Sequence, residues 1–316
     1  MQLSRRHCLL WGSGLAGSLL AGCTSMPAAT NQSGKGFFQQ ALGKAHITAL
    51  SDGVGRRPLD AGFVRNAPLA DVQAALTSAG LPTTHLDVPY TCFVVDLDGH
   101  RYLIDTGFAD NGAAGTGHLH QHMREAGIDP ASIHSVIISH LHGDHIQGLR
   151  RKDGTLVYPQ AVVHLPQPEL AFWLDDARMQ TAPEAARGGF QTVRRVFQNY
   201  PKELLRPFQP GSDLAPGLST IAAFGHSPGH TALRVQSGGE IFTFIADAVH
   251  LPALFMRHPD WQVQFDMNPE QAHRTRHALL ARLAAEGGWV GGYHFPLPGI
   301  GRVRRAGAGY EWGRNP

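Results

Sequence analysis

Three things are scarce in this sequence, and each scarcity closes off a class of protein. Only three cysteines occur in 316 residues. Cys8 and Cys23 lie near the N-terminus, so Cys92 stands alone in the body of the chain and no disulfide can form within the fold. Cys92 falls in the strand-like run Pro89-Tyr90-Thr91-Cys92-Phe93-Val94-Val95, where a packed thiol is expected rather than a nucleophile. Excess charge is also missing: the formal charge is +2, Arg5 and Arg6 precede Cys23 with no acidic residue beside them, and no basic run follows. That balance argues against nucleic acid as a partner. Long apolar runs are the third absence, since the stretch from Leu9 to Ala21 is too short to span a membrane convincingly. With 42% hydrophobic and 16% charged residues, no internal repeat and no second domain in evidence, a globular domain with a sizeable core remains.

The first residues read as a targeting segment. Ser4-Arg5-Arg6-His7-Cys8-Leu9-Leu10, followed by the Gly/Ala-rich apolar run, resembles a twin-arginine export signal. Leu20-Ala21-Gly22-Cys23 resembles a bacterial lipobox, in which Cys23 would carry lipid and become the mature N-terminus. Cleavage near Pro27-Ala28-Ala29, giving a soluble periplasmic protein, is the alternative. The expected organisation is an export signal over 1–23, a small polar linker over 24–35 and a folded domain over 36–316, placed in the periplasm or cell envelope. Any membrane attachment would run through Cys23.

Within the domain, strands are predicted at His46 to Leu50, ending at the turn signal Ser51-Asp52-Gly53, and at Asp87 to Asp96 and His100 to Ile104. Further strands are predicted at Ile133 to Ile138, Ala161 to Leu165, Ser219 to Phe224, Thr231 to Val235, Ile241 to Ala246, Trp289 to Gly291 and Ile300 to Val303. Helical periodicity marks 67–79, 119–126, 169–178 and 183–199, and Asn268-Pro269 opens a helix that Gly287 stops. Two strand-rich halves with helices between them predict an α/β (α+β) fold, a four-layer αββα sandwich.

What is abundant is histidine in one place. Ser139-His140-Leu141-His142-Gly143-Asp144-His145 follows a buried-strand pattern directly, and imidazole with carboxylate is the donor set that zinc and similar divalent ions prefer. Other polar residues stand at the exits of strand-like runs: His226 and His230 in Gly225-His226-Ser227-Pro228-Gly229-His230, Asp247 after Phe244-Ile245-Ala246, and His294 after Gly291-Gly292-Tyr293. All could converge at one sheet edge.

In order and spacing, His140-x-His142-x-Asp144-His145, His230, Asp247 and His294 resemble the metallo-β-lactamase-fold hydrolases. Within them the chain is most similar to methyl parathion hydrolase and related esterases and lactonases. Supporting stretches are Ala49-Leu50-Ser51-Asp52-Gly53, Ala171-Phe172-Trp173-Leu174 and Pro298-Gly299-Ile300-Gly301. The resemblance runs from about residue 40 to the C-terminus. It implies the metallo-β-lactamase fold and a pair of divalent ions, zinc foremost. One ion is held by His140, His142 and His230, the other by Asp144, His145 and His294, with Asp247 bridging. Asp105 is implied to orient a ligand histidine; His226 either does the same or packs in its turn. The implied chemistry is attack of a bridging hydroxide on a lactone or carboxylic ester, with aryl phosphotriesters as a further substrate class and methyl parathion-type phosphotriester hydrolysis as the alternative main activity.

Asp144 and His250 are the candidates placed at the reaction itself. His250 follows Asp247 by three residues, where acyl-homoserine lactonases commonly carry a tyrosine. A general acid, a substrate hydrogen bond and an inert wall position all suit it. Trp173 is the candidate for lining the substrate pocket. His118, His120 and His122 are expected to be solvated, as are His273 and His277, one helical turn apart. The expected partner is a small-molecule ester, lactone or phosphotriester, and a homodimer is compatible with the sequence. A non-catalytic, metal-binding envelope protein on the same fold is the competing reading, and turnover in the presence and absence of chelator separates the two.

Overall fold

The computed structural model describes residues 36–315. The export signal, Cys23 and the linker expected over 24–35 lie outside the described residues, as does Pro316.

Two seven-stranded sheets make up the frame among the described residues, and in each the strands lie side by side in chain order. The first sheet contains β1 (Phe37–Leu42), β2 (Ala45–Pro58), β3 (His85–Leu97), β4 (His100–Ile104), β5 (Ser135–Ile137), β6 (Val162–Pro166) and β7 (Leu205–Phe208). Its first four strands are antiparallel, and β4 to β7 run parallel. The second sheet contains β8 (Asp213–Ala215), β9 (Leu218–Ala222), β10 (Thr231–Ser237), β11 (Glu240–Phe244), β12 (Trp289–Gly291), β13 (Ile300–Ala306) and β14 (Gly309–Gly313). Its one parallel pair is β11 with β12.

The sheets pack face to face through apolar side chains. Phe93 of β3 meets Phe242 and Phe244 of β11 at ring-centroid distances of 5.5 and 5.2 Å. All three rings are fully buried, each worth about 1.5–3 kcal/mol of transfer free energy. Helices α1 (Leu69–Ser78), α2 (Leu119–Glu125), α3 (Gly143–Ile146), α4 (Gln167–Trp173), α5 (Asp176–Thr181), α6 (Glu184–Phe197), α7 (Pro252–Phe255) and α8 (Pro269–Glu286) complete the layers. Leu119 and Met123 of α2, with Phe190, Val193 and Val196 of α6, join the core of the first sheet. Leu279, Leu280 and Leu283 of α8 cover Val290 and Val303 of the second. The four-layer αββα sandwich expected from the sequence is the fold observed.

Several local expectations need correction. Ser51-Asp52-Gly53 is not a turn: β2 runs through it, with a register shift between Ser51 and Gly53. The side chain of Asp52 points inward, where the backbone N–H groups of Phe108, Gly117 and Leu119 donate to it at 3.0, 3.2 and 3.1 Å. Gly53 is required there, since it has φ +136° and an added Cβ would lie 2.0 Å from the Gly115 carbonyl oxygen. The helix expected over 169–178 is two helices, because Asp175 accepts the Arg178 N–H at 3.0 Å and caps a new start. On α8 the expected signals hold: Asn268 Oδ1 accepts from Gln271 N at 3.1 Å, and Gly287 closes the helix at φ +66°.

This topology brings the polar strand exits together. Asp105 follows β4, His140 follows β5, Asp247 follows β11 and His294 follows β12, all at the carboxyl ends of parallel strands. That is where open α/β sheets place their ligands.

Candidate metal centre

Two non-glycine residues at these exits have left-handed backbone, Asp105 (φ +55°) and Ala246 (φ +44°), which costs of order 1–3 kcal/mol each. The strained turns aim Asp105 and Asp247 at the histidines.

Histidine tautomers at the site follow from groups that can only accept. The Asp105 carboxylate takes the Ser139 N–H at 2.8 Å, the Ser139 hydroxyl at 2.7 Å and His145 Nδ1 at 2.7 Å. His145 therefore donates through Nδ1 and turns an Nε2 lone pair inward. His294 Nδ1 donates to the Pro89 carbonyl at 2.9 Å, which leaves its Nε2 as an acceptor too. His226 Nδ1 donates to buried Asp266 at 3.0 Å, with the same result.

These acceptors face other acceptors. His145 Nε2 lies 3.3 Å from Asp247 Oδ1 and 3.5 Å from Asp144 Oδ2. His294 Nε2 lies 3.0 Å from Asp247 Oδ2 and 3.6 Å from Asp144 Oδ2. His142 Nδ1 sits 3.0 Å from both His140 Nε2 and His226 Nε2, and His226 Nε2 is 3.4 Å from Asp247 Oδ2. His145 Nε2 and Asp247 Oδ1 are buried with no hydrogen-bond partner. Unpartnered His145 Nε2 and Asp247 Oδ1, set among converging imidazole nitrogens and carboxylates, need a cation between them, so the donor set fits divalent metal ions. The possible ligand groups are His140, His142 and His226; His140, His145 and Asp247; and Asp144, His145 and His294.

The electrostatics agree. Burial opposes charge on His145, yet Asp144, Asp247 and Asp105 hold its pKa well above the usual range. Burial likewise opposes charge on His294, which Asp247 raises. Asp247 sits well below the carboxylate range: His294 and His145 outweigh the burial that would raise it. Burial keeps His140 and His142 well below the imidazole range, so their lone pairs stay free. A proton or a cation is therefore demanded between the carboxylates and His145, and neutral His140 and His142 keep a nitrogen lone pair available to an ion.

The sequence reading made His230 a ligand and left His226 outside the set. In the structure it is His226, and not His230, whose ring nitrogen groups with His140 and His142 as a possible ligand. His230 Nδ1 donates to the Ala223 carbonyl at 2.9 Å, and its Nε2 accepts the Asp247 backbone N–H at 3.0 Å. Both ring nitrogens are used, and burial pushes its pKa down to about 3. His226 is the imidazole that reaches His142 and His140. His226→Ala should therefore lower affinity for one metal ion at least about a hundredfold. His230→Ala should keep metal stoichiometry but leave the Ala223 carbonyl and Asp247 N–H unpaired, at about 1–3 kcal/mol each. Metal analysis and urea unfolding of the two variants check this; equal metal loss in both would restore His230 to the ligand set.

The remaining candidates fall as follows. Asp105 accepts from His145 Nδ1 at 2.7 Å. His250 is buried, stacks on His294 at 4.0 Å between centroids, and leaves Nδ1 unpartnered; burial drives its pKa well down. Trp173 lies edge-on to His142 at 5.9 Å but is 5% exposed, so it is packed behind a ligand rather than lining open space. His120 and His122 are not solvated: they bond Tyr158 Oη at 2.9 Å and the Ser51 carbonyl at 2.5 Å.

Four supporting residues escaped the sequence reading. Glu169 accepts hydrogen bonds from both ligand loops. Asp266 orients His226 and is itself paired with buried Arg276 at 3.0 Å. Tyr293 stacks on His145 at 3.8 Å and donates to the Asp144 carbonyl at 2.6 Å. No short-range spacing marks any of them.

The metallo-beta-lactamase superfamily profile matches residues 86–294. The N-acyl homoserine lactonase AiiA of Bacillus thuringiensis subsp. kurstaki is 23% identical over 201 residues, covering 55% of this chain and 70% of that protein. The structure of AidC, a dizinc quorum-quenching lactonase in complex with a product, N-hexanoyl-L-homoserine, is similar with a TM-score of 0.83 at 25% identity. That match covers 89% of this chain and 98% of AidC. The hydrolase AbOPH superposes with a TM-score of 0.82 at 26% identity, over 89% and 98% of the two chains. The matched residues contain every possible ligand group described above, and the chain belongs to the metallo-β-lactamase superfamily.

Proposed function

We propose that this protein hydrolyses a lactone or carboxylic ester at a pair of divalent ions, with zinc as the expected metal. The observation that carries the reading is the convergence of donor atoms from His140, His142, His226, Asp144, His145, Asp247 and His294 at ligand spacing, with His145 Nε2 and Asp247 Oδ1 buried and without a hydrogen-bond partner. His140, His142 and His226 would hold one ion, and Asp144, His145 and His294 the other, with Asp247 between them. Ions in these positions would lower the pKa of bound water and polarise a substrate oxygen.

The chain's own residues supply the rest. Asp105 and Asp266 fix the tautomers of His145 and His226, keeping the donor atoms in place without reorganisation. Asp144 keeps 21% side-chain exposure, so it is the ligand able to pass a proton between the centre and solvent, and an opening lactone needs one at its departing oxygen. Phe265 and Met267 are 39% and 42% exposed, and Phe265 packs on His250 at 5.6 Å. Tyr90 sits edge-on to His294 at 5.6 Å; burial, Asp144 and Asp247 push its phenol up to about 12, so it stays neutral. Phe265 and Tyr90, set against His250 and His294, would give an apolar edge that suits an acyl or aryl group.

His250 is buried against His294 with Nδ1 unpartnered and burial holding its pKa down, which suits a neutral residue that positions His294 or offers a hydrogen bond, and not a charged acid. His250→Ala should lower turnover on the order of tenfold with metal content unchanged; unaltered kinetics would remove it from the reaction.

Rates on N-acyl homoserine lactones, p-nitrophenyl esters and aryl phosphotriesters, each with and without chelator, test the proposal. Lactone or ester turnover that chelator abolishes and metal restores is the expected result. Faster phosphotriester turnover would make that the main activity. Full metal loading with no turnover on any of the three would leave a metal-binding protein.

A further inference from the structure

A second group of metal donors lies on the outer face of α8. His273 and His277 are one turn apart, with ring centroids 4.4 Å apart. Their Nε2 atoms lie 3.0 and 2.9 Å from the same oxygen, Oδ1 of Asp260. Two histidines at i and i+4 on one helical face are the pattern that zinc-binding helices use, and a carboxylate completes three ligands. Tetrahedral coordination at about 2.0–2.2 Å spaces donors by about 3.3 Å, so the two contacts to Asp260 need lengthen by only a few tenths of an ångström, and all three donor atoms already lie within 4.8 Å of one another.

The site is held in shape from both sides. The histidines share an 18-residue helix that is capped at each end. The loop carrying Asp260 is pinned by Asn66, whose amide donates to the Asp260 carbonyl at 2.9 Å and accepts the Gln262 N–H at 2.8 Å. Arg276, between the two histidines in sequence, donates to the carbonyls of Pro259 and Trp261 from beneath. The side chains of His273 and His277 are 37% and 39% exposed, so an ion can reach them without any opening of the fold. A surface cavity of about 370 Å³, lined by Asp260, His273, Asn66, Gln262, Glu270 and Arg274, leaves room for water in the remaining coordination position.

We propose that Asp260, His273 and His277 bind a third divalent transition-metal ion, zinc or a close relative, apart from the catalytic pair. It would lock α8 to the 259–262 loop. Because Arg276 joins that loop to Asp266, and Asp266 holds His226, the ion would brace the support of the centre. The site shares no ligand with the centre, so it stands whether or not the hydrolytic reading does.

The test is metal content of the full chain equilibrated with micromolar free Zn²⁺, compared with His277→Ala and Asp260→Asn. The unsubstituted protein should hold one equivalent more than either variant, and affinity for that equivalent should fall by more than about tenfold in each. Added zinc should raise Tm in the unsubstituted protein and not in the variants. In the unsubstituted protein a weak chelator should remove this equivalent first, with the hydrolysis rate retained. Equal metal content in all three chains would overturn the proposal, as would release of every ion in step with activity. Loss of metal at the centre lowers all three chains together and leaves the difference readable.

Discussion

Asp247→Asn should reduce turnover at least about 10³-fold and bring metal content from two equivalents at the centre to about one. The expectation rests on what both carboxylate oxygens face. Oδ1 lies 3.3 Å from His145 Nε2, and Oδ2 lies 3.0 Å from His294 Nε2 and 3.4 Å from His226 Nε2. Asp247 thus touches ligands of both proposed ions, and its charge offsets theirs. Asparagine keeps the volume but removes the charge, and its amide nitrogen cannot coordinate. The Asp247 N–H to His230 bond is a backbone contact and survives, so the fold is retained. In chelated protein the substitution also leaves the charges favoured on His145 and His294 without their partner, at about 3–5 kcal/mol for a broken buried pair. Metal analysis, steady-state kinetics and urea unfolding read the three effects separately. Activity within tenfold of the unsubstituted protein would refute the bridging position.

How far the site could be read without coordinates depended on whether its residues are neighbours in the chain. His140, His142, Asp144 and His145 are packed into one turn, so residue type and spacing were enough. Asp247 and His294 were readable because a polar residue at the exit of a buried strand needs a partner. The choice between His226 and His230 was not readable, since the same Gly/Pro turn presents both. It is decided by the Ala223 carbonyl, which takes one ring, and by Asp266, forty residues onward, which orients the other. The fold divides the same way. Alternating strands and the signals at Asn268 and Gly287 are local, and the layer order followed from them. The bulge at Asp52 is not local, because it exists to meet N–H groups more than fifty residues away.

Glu169 is the clearest product of such long-range assembly, and its replacement carries the second large effect. Its carboxylate is fully buried and accepts four hydrogen bonds. Leu141 N, between two ligand histidines, donates to Oε2 at 2.9 Å, and so does Trp173 Nε1 at 2.9 Å. Ser227 Oγ and Gly229 N, in the His226 turn, donate to Oε1 at 2.6 and 2.5 Å. One side chain therefore fixes the separation of the two loops that bring His140, His142 and His226 together. Gly229 is needed for this approach, because a Cβ there would fall 2.8 Å from Glu169 N. Glu169→Gln supplies one acceptor oxygen where two are used, so a pair of buried donors would face an NH2 group. At about 1–3 kcal/mol for each unsatisfied donor the variant should lose about 2–6 kcal/mol. Affinity for the ion at His140, His142 and His226 should fall about 10–100-fold, while the Asp144, His145 and His294 group keeps its own. Trp173→Phe removes a single donor and leaves both loops tied, so it should change metal affinity by less than about threefold. If Glu169→Gln destabilises the fold yet binds both ions as tightly as the unsubstituted protein, Glu169 supports the core and not the centre.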